Sequence, residues 1–292
     1  QALVNMTEVV QIKALLRTSI ERLKLSSETA QLDTELLLMH VLGKHRAFLY
    51  AYGEQELSTE QAIKFESLII KRLQGMPVAY LLGEREFWSL AFNVTPDTLI
   101  PRPETEGLIE HALALLGTRK TCSVLELGTG TGAISIALAL EKPGWQFCAV
   151  DVSSKALDVA KDNMQKHQVK NLNLMLSNWF DALALPDAFQ LFDLIISNPP
   201  YLALDDPHQY QGDLRFEPSQ ALLSGVDGLK DLRCIIQDSM QYLRPGGLLL
   251  LEHGYEQANQ VQALLTESTY HKITTWKDDS QLDRVSAGWK SV

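Results

Sequence analysis

The chain has 292 residues, of which 46% are hydrophobic and 21% are charged, and its formal net charge is -10. This length and composition are typical of a globular protein with about two domains. Since no apolar run approaches the roughly 18 residues of a membrane-spanning helix and no signal-peptide pattern opens the chain, we expect a cytoplasmic protein. The three cysteines and seven histidines show no metal-ligand spacing, so neither a metal site nor a disulfide is expected.

The first part of the chain is predicted to be helical. Residues 1–5, which precede Met6, are left out of the fold prediction. Apolar residues recur at spacings of three and four over residues 8–25, 28–42 and 59–73, and no strand pattern lies between them. We therefore predict an N-terminal helical bundle domain over residues 6–78.

The pattern then changes twice. Residues 79–103 contain aromatic and β-branched residues around Gly83, which predicts a β-hairpin linker. From residue 121 onward strands alternate with helices, which predicts an α/β domain over residues 104–292 with a doubly wound, mostly parallel sheet. An antiparallel pair of strands near residues 272–276 and 284–289 is expected to form a reversed edge.

A glycine-rich loop opens this alternating region. Residues 124–127 are predicted to form a strand and residues 133–141 a helix, and Gly128-Thr129-Gly130-Thr131-Gly132 connects them. Such a loop lets a ligand approach the backbone at the carboxyl edge of a parallel sheet. The Gly-x-Gly-x-Gly spacing is neither that of a dinucleotide fold nor that of a P-loop, so a nucleoside ligand without phosphate is favoured.

Three further residues are candidates for nucleoside contacts. Asp151 ends the predicted strand 146–150, 19 residues after Gly132, where a carboxylate can accept both ribose hydroxyls. The alternative is a solvated loop residue or a helix cap. After the predicted strand 172–176, Asn178 and Trp179 are placed to meet an adenine edge and face. The alternative for Trp179 is a buried structural residue.

The segment Asn198-Pro199-Pro200-Tyr201 follows the predicted strand 192–197. The prolines have no backbone N–H, and Pro199 keeps Asn198 out of the helical conformation, so the turn presents acceptors with few competing donors. An NH2 group fits such a turn, and Tyr201 adds a flat face for stacking. The alternative is a rigid turn that only ends a strand.

These motifs resemble a known family. Residues 126–132, Asp151 and residues 198–201 are similar to class I S-adenosylmethionine-dependent methyltransferases that modify amino nitrogens. Residues 100–106, 215–218, 221–229, 245–247 and 251–254 resemble the protein-(glutamine-N5) methyltransferases that act on bacterial peptide chain release factors. The resemblance spans nearly the whole chain. Asn178 departs from it, since the family commonly has Asp there, and we expect an altered cofactor affinity.

The resemblance implies a Rossmann-like, seven-stranded sheet and an enzyme that methylates the glutamine of a Gly-Gly-Gln motif on N5. S-adenosylmethionine is the implied cofactor and S-adenosylhomocysteine its product. The implied cofactor-binding residues are Gly128, Thr129, Gly130, Thr131, Gly132, Asp151, Trp179 and Asn198. The implied catalytic residues are Asn198, Pro199 and Tyr201, which also bind the substrate together with Pro200. We expect a monomer whose helical domain and loop 203–228 dock the release factor.

The expected mechanism is direct methyl transfer to a carboxamide nitrogen, which is a poor nucleophile. Asn198 Oδ1 and the Pro199 carbonyl are expected to accept its two protons and to favour the charge that develops on nitrogen. No general base is assigned. Glu252 and His253 lie at the end of a predicted strand near the site, but a core role is at least as well supported by the sequence.

Two other functions stay open. An adenine-N6 methyltransferase acting on DNA or RNA would use the same Asn-Pro-Pro-Tyr segment on a flipped base. A non-catalytic cofactor-binding module is the other. Residues 101–292 carry 16 basic and 24 acidic side chains, against 10 and 12 in residues 1–100. This acidic half favours a basic protein partner over direct nucleic acid binding.

Overall fold

The structure is a computed structural model that describes residues 10–183, 191–210 and 212–292. It divides into two compact units, Gln1–Gly83 and Glu84–Val292. The residues set aside at 1–5 and the start of the predicted helical domain at 6–9 lie outside the described residues. So does Gln211, within the predicted docking loop.

The first unit is helical, as predicted. Its helices are α1 (Ile12–Leu23), α2 (Ala30–Leu42), α3 (Arg46–Ala51), α4 (Thr59–Leu73) and α5 (Val78–Leu82). The three long helices confirm the predicted segments, apart from residues 8–9. The apolar positions of α1, α2 and α4 form one buried cluster. Helices α3 and α5 were not predicted, because six and five residues are too few for a helical period to show.

A two-stranded hairpin opens the second unit. Its strands are β1 (Glu84–Phe87) and β2 (Leu90–Asn93), paired antiparallel. Trp88 and Ser89 form the turn with φ of 52° and 56°, the left-handed values that a tight hairpin turn requires. Phe87 and Phe92 are buried in the core of this unit. The predicted hairpin is confirmed, and it lies in the second unit.

A large mixed sheet forms the centre of the second unit. Its strands in the described residues are β3 (Ser123–Leu127), β4 (Gln146–Asp151), β5 (Leu172–Leu176), β6 (Phe192–Ser197), β7 (Leu243–Glu252), β8 (His271–Lys277) and β9 (Asp283–Trp289). Their order is β5-β4-β3-β6-β7-β9-β8. Strands β3 to β7 are parallel, and β9 pairs antiparallel with both β7 and β8. The predicted doubly wound sheet with a reversed edge is confirmed.

Helices cover both faces of this sheet. They are α6 (Glu106–Leu116), α7 (Ala133–Glu141), α8 (Ser154–Lys166), α9 (Lys230–Tyr242) and α10 (Ala258–Glu267). Successive strand residues point to opposite faces, so Val124 joins the core under α6 and α7 while Leu125 joins the core under α9 and α10. Within the described residues, no helix has the length and apolar character needed to cross a bilayer.

The strand order positions the site. Strand β3 has β4 on one side and β6 on the other, so the connections on its two sides run in opposite directions. A crevice opens at the carboxyl ends of the strands at such a point, and ligands of open α/β sheets bind there.

Candidate active site

The register of three parallel strands brings the predicted site residues to one edge. Leu127 of β3 is paired with Val150 in β4 and with Ser197 in β6. The residues that follow these three positions are Gly128, Asp151 and Asn198. Segments that are far apart in the chain therefore meet at the carboxyl edge, as the motif analysis required.

The glycine loop is held against β4. The N–H groups of Gly128 and Thr129 both donate to the carbonyl of Val150 at 2.9 Å. Gly128, Gly130 and Gly132 have φ of 71°, 54° and 80°, values that residues with a Cβ rarely adopt. The loop therefore needs glycine for its backbone conformation as well as for its open surface.

Glu126, next to the end of β3, stabilises this loop by hydrogen bonds. Its Oε2 accepts the Thr129 hydroxyl at 2.8 Å and the Ser135 N–H at 3.1 Å. The side chain is buried, and burial raises the pKa of Glu126 to about 7, against the opposing effect of these two donors. The carboxyl group joins the loop to the first turn of α7.

Asp151 is held by backbone N–H groups and lines a cavity. Oδ2 accepts from Gly130 N at 2.8 Å and Oδ1 accepts from Ser153 N at 2.9 Å. Ser153, and not Asp151, caps α8 by accepting from Ala156 N. Burial raises the pKa of Asp151, and these N–H donors oppose the rise. Each carboxylate oxygen retains a lone pair for a further donor.

Trp179 lines the same cavity. Its indole N–H donates to Asp231 Oδ1 at 3.1 Å, and a Cβ placed on Gly128 would lie 3.3 Å from its ring. Its φ of 48° is unusual for a bulky residue, and such backbone strain concentrates at functional sites. Asn178 also lines the cavity, and its amide donates to Asp181 Oδ2 at 3.0 Å.

Asn198 is oriented by a residue from another segment. Its Nδ2 donates to Thr105 Oγ1 at 3.1 Å. Because the nitrogen end of the amide is engaged, Oδ1 is the end that can accept a proton from a ligand. Pro200 lines the cavity beside it, whereas Pro199 is buried.

Tyr201 lies away from the cavity. Its hydroxyl donates to Glu252 Oε1 at 3.4 Å, and its backbone carbonyl accepts from Gln257 Nε2 at 3.0 Å. The ring packs against the core under α9 and α10. The structure therefore gives the Tyr201 side chain a packing role. Its predicted contact with a substrate stays a prediction.

Two adjoining cavities open at this edge. The larger has a volume of about 450 Å³, and its lining includes Gly128, Gly130, Asp151, Trp179, Asn198 and Pro200. The smaller, of about 50 Å³, shares the two glycines and Asn198 and is also lined by Thr129 and Thr131. Of the predicted site residues, Gly132, Pro199 and Tyr201 line neither cavity.

Comparison with known proteins covers both units. Residues 14–83 match the family described as the PrmC N-terminal domain, and residues 118–287 match the family described as a methyltransferase domain. The release factor glutamine methyltransferase of Shewanella oneidensis is 46% identical over 277 residues, which cover 95% of this chain and 95% of that protein. That of Escherichia coli strain K12 is 45% identical over 273 residues, with coverages of 94% and 96%. The chain belongs to the release factor glutamine methyltransferase family.

A solved structure supports the fold of the second unit. The Thermus thermophilus 16S rRNA N2 G1207 methyltransferase, in complex with AdoMet and guanosine, resembles it with a TM-score of 0.53 at 20% identity. The likeness covers 71% of this chain and 49% of that one. At this identity it shows the fold alone, which is the predicted class I methyltransferase fold.

In this member of the release factor glutamine methyltransferase family, the motif analysis missed several residues that hold the site. Glu217 is buried, and its carboxylate accepts from Ile100 N at 3.0 Å and from the Arg102 guanidinium. Thr105 orients Asn198, as described above. Segments 100–106 and 215–218 were part of the resemblance, but only the tertiary structure shows that they contact each other.

Proposed function

We propose that this protein transfers a methyl group from S-adenosylmethionine to N5 of the glutamine in the Gly-Gly-Gln motif of peptide chain release factors. The observation that carries the proposal is the orientation of Asn198, whose Nδ2 is engaged by Thr105 and whose Oδ1 is left to accept. It lies beside a glycine-lined cavity at the edge where α/β folds bind nucleosides.

The charge of the larger cavity suits S-adenosylmethionine. Its charged lining residues are Asp97, Asp151, Asp231 and Lys230, and this acidic surplus favours a cationic ligand. We assign the ribose hydroxyls to Asp151 and the adenine face to Trp179. When bound, S-adenosylmethionine supplies an electrophilic methyl group on a positively charged sulfur.

The protein must then present a weak nucleophile correctly. The lone pair of a carboxamide nitrogen is delocalised into its carbonyl group. Asn198 Oδ1 and the Pro199 carbonyl are proposed to accept the two N–H protons of the substrate amide, which turns the nitrogen toward the methyl donor. The same acceptors stabilise the positive charge that develops on nitrogen, and such preorganised dipoles are worth about 100-fold or more in rate. One N–H proton leaves to these acceptors or to water, so a dedicated base is not required.

Specificity for a protein partner requires a docking surface. Loop 203–228 presents three exposed apolar side chains, Leu204, Tyr210 and Val226, close in sequence to the cavity-lining residues 218–223. Exposed apolar surface beside a ligand cavity can contribute to the binding of a protein partner. We propose that this loop and the helical first unit bind the release factor, and that the enzyme acts in the cytosol as a monomer.

The decisive assay supplies radiolabelled S-adenosylmethionine to the full-length protein with a release factor, with the same factor in which the Gly-Gly-Gln glutamine is replaced by alanine, and with DNA and RNA. We expect label only in the unaltered factor, with the mass of one methyl group on that glutamine. Label in the nucleic acid alone would establish an adenine-N6 enzyme and overturn the proposal.

Asn198→Ala separates an enzyme from a binding module. We expect kcat to fall by about 100-fold or more, while S-adenosylhomocysteine still binds, because Asp151 and Trp179 are unchanged. Asn173→Ala is the matched control, since it makes the same change at an exposed position of β5 that lines neither cavity. Equal turnover by wild type and Asn198→Ala would contradict the assigned role of Asn198.

A further inference from the structure

Glu252 is a buried carboxyl group beside Asn198. It ends β7, and the pairing of Ser197 with Leu251 places the following residues, Asn198 and Glu252, at adjacent positions on the carboxyl edge. The side chain is 1% exposed. Oε1 accepts the Tyr201 hydroxyl at 3.4 Å, and Oε2 is buried and has no hydrogen-bond partner among the described residues. A buried oxygen without a hydrogen bond destabilises the folded protein unless a nearby group donates to it.

Thr105 interacts with both Asn198 and Glu252. Its hydroxyl oxygen accepts Asn198 Nδ2 at 3.1 Å, and its hydroxyl group also acts on Glu252, where it lowers the pKa of the carboxyl. Thr105 is itself buried. One hydroxyl therefore interacts with both the proposed substrate-binding amide and a buried carboxyl group.

The direction of these contacts follows from the chemistry of the groups. An ionised carboxylate only accepts, so the single Thr105 proton points toward Glu252. The Thr105 oxygen can then only accept from Asn198, which requires the NH2 end of the amide. A reversed amide would place two acceptors, Asn198 Oδ1 and Thr105 Oγ1, against each other.

We propose that Glu252 is a positioning residue for the methyl transfer: through the Thr105 hydroxyl, its carboxylate holds the Asn198 amide with Oδ1 turned to the substrate. This inference rests on the proposed function. Glu252 itself touches neither substrate nor cofactor. It acts by deciding which end of Asn198 is presented.

The charge of Glu252 makes this arrangement sensitive to pH. Burial raises the pKa of Glu252 to about 7, and Glu104 adds to the rise, while Thr105, Arg284 and Tyr201 oppose it. Arg284 lies on β9 and also bonds to Asp278. Below this pH the protonated carboxyl group can donate to Thr105, whose own proton is then free to turn toward Asn198 and admit the reversed amide.

The kinetic test compares kcat and KM across the neutral pH range for wild type, Glu252→Gln, Thr105→Val and Thr105→Ser. We expect wild-type kcat to fall as the pH drops through about 7. Glu252→Gln and Thr105→Val should have a kcat about tenfold lower than wild type above that pH. Their kcat should show no step near that pH, and their KM should change little. Thr105→Ser keeps the hydroxyl and should retain both the rate and the step.

Asp193→Asn is the matched control for stability. It makes the same carboxyl-to-amide change at a buried position near the amino end of β6, where Asp193 accepts from Ser123 N. It should keep the wild-type pH profile of kcat even if the protein unfolds more easily. If Glu252→Gln keeps both the wild-type kcat and the pH step, the positioning role is wrong.

A spectroscopic test needs no turnover. In protein labelled with 15N-asparagine, the Asn198 side-chain signals, assigned by their loss in Asn198→Ala, should shift in wild type between pH values below and above 7. They should not shift in Glu252→Gln. Identical behaviour of the two proteins overturns the inference. If wild type shifts as expected but methylates no glutamine, only the proposed function fails.

Discussion

Replacement of Glu126 by glutamine tests how the site edge is held together. The buried carboxyl group has its pKa raised from an ordinary 4.5 to about 7 by burial. A raised carboxyl pKa means that the folded protein binds the proton more tightly than the unfolded chain. The contribution of Glu126 to stability is therefore greatest below about pH 4.5 and is lost as the pH rises through about 7.

The size of the effect follows from the two pKa values. At about 1.4 kcal/mol for each pH unit between them, the full loss is about 3 kcal/mol. Of this, about 2 kcal/mol falls between about pH 5.5 and about pH 8. Glutamine does not titrate, and its carbonyl oxygen can still accept from Thr129 and Ser135. From the lower pH to the higher pH, the unfolding free energy of Glu126→Gln should therefore rise by about 2 kcal/mol relative to that of wild type.

Urea unfolding followed by tryptophan fluorescence measures this difference. The five tryptophans are Trp88, Trp145, Trp179, Trp276 and Trp289, so the signal reports the second unit alone. Glu110→Gln is the control, because it removes one carboxylate at an exposed position of α6 and should give the wild-type pH dependence. A Glu126→Gln protein whose unfolding free energy follows wild type at both pH values would refute the burial argument.

Four other substitutions test the loop, the hairpin and the proposed ribose contact. Gly132→Ala should destabilise the second unit more than Gly130→Ala in urea unfolding, because a Cβ at 132 would lie 2.9 Å from Ile136 Cδ1 and one at 130 meets nothing within 4 Å. The Gly130 variant should lose about 1 to 2 kcal/mol from its left-handed backbone alone, and equal losses would contradict the close-packing argument. Ser89→Gly should stabilise the same unit by about 1 kcal/mol, since Ser89 occupies a left-handed turn position, and a loss of stability would be the contrary result. Asp151→Asn should weaken S-adenosylhomocysteine binding about tenfold or more in calorimetry, since a charged acceptor is lost, and unchanged affinity would remove Asp151 from the ribose site.

Local patterns predicted much of the second unit. The strand before the glycine loop, the loop itself and helix α7 lie where apolar runs and glycine spacing indicated. The reason is that buried parallel strands need continuous apolar runs and that left-handed loop positions need glycine. The hairpin turn was harder to locate. Trp88 and Ser89 are not residue types that usually indicate a tight turn. Trp88 and Ser89 nevertheless have positive φ, and Phe87 and Phe92 in the two strands that they connect are buried.

Residue types and their order along the chain were enough to indicate the α/β class and to place the glycine loop and the Asn198-Pro199-Pro200-Tyr201 turn at strand ends, because each of these elements depends on contacts within a few residues. The orientation of Asn198 depends on Thr105 and Glu252, which are 93 and 54 residues away in sequence. No local pattern encodes that arrangement, since strand register and the packing of the 100–106 segment bring the three side chains together. The same holds for Tyr201, whose ring packs against the core and whose hydroxyl donates to Glu252 at the end of β7.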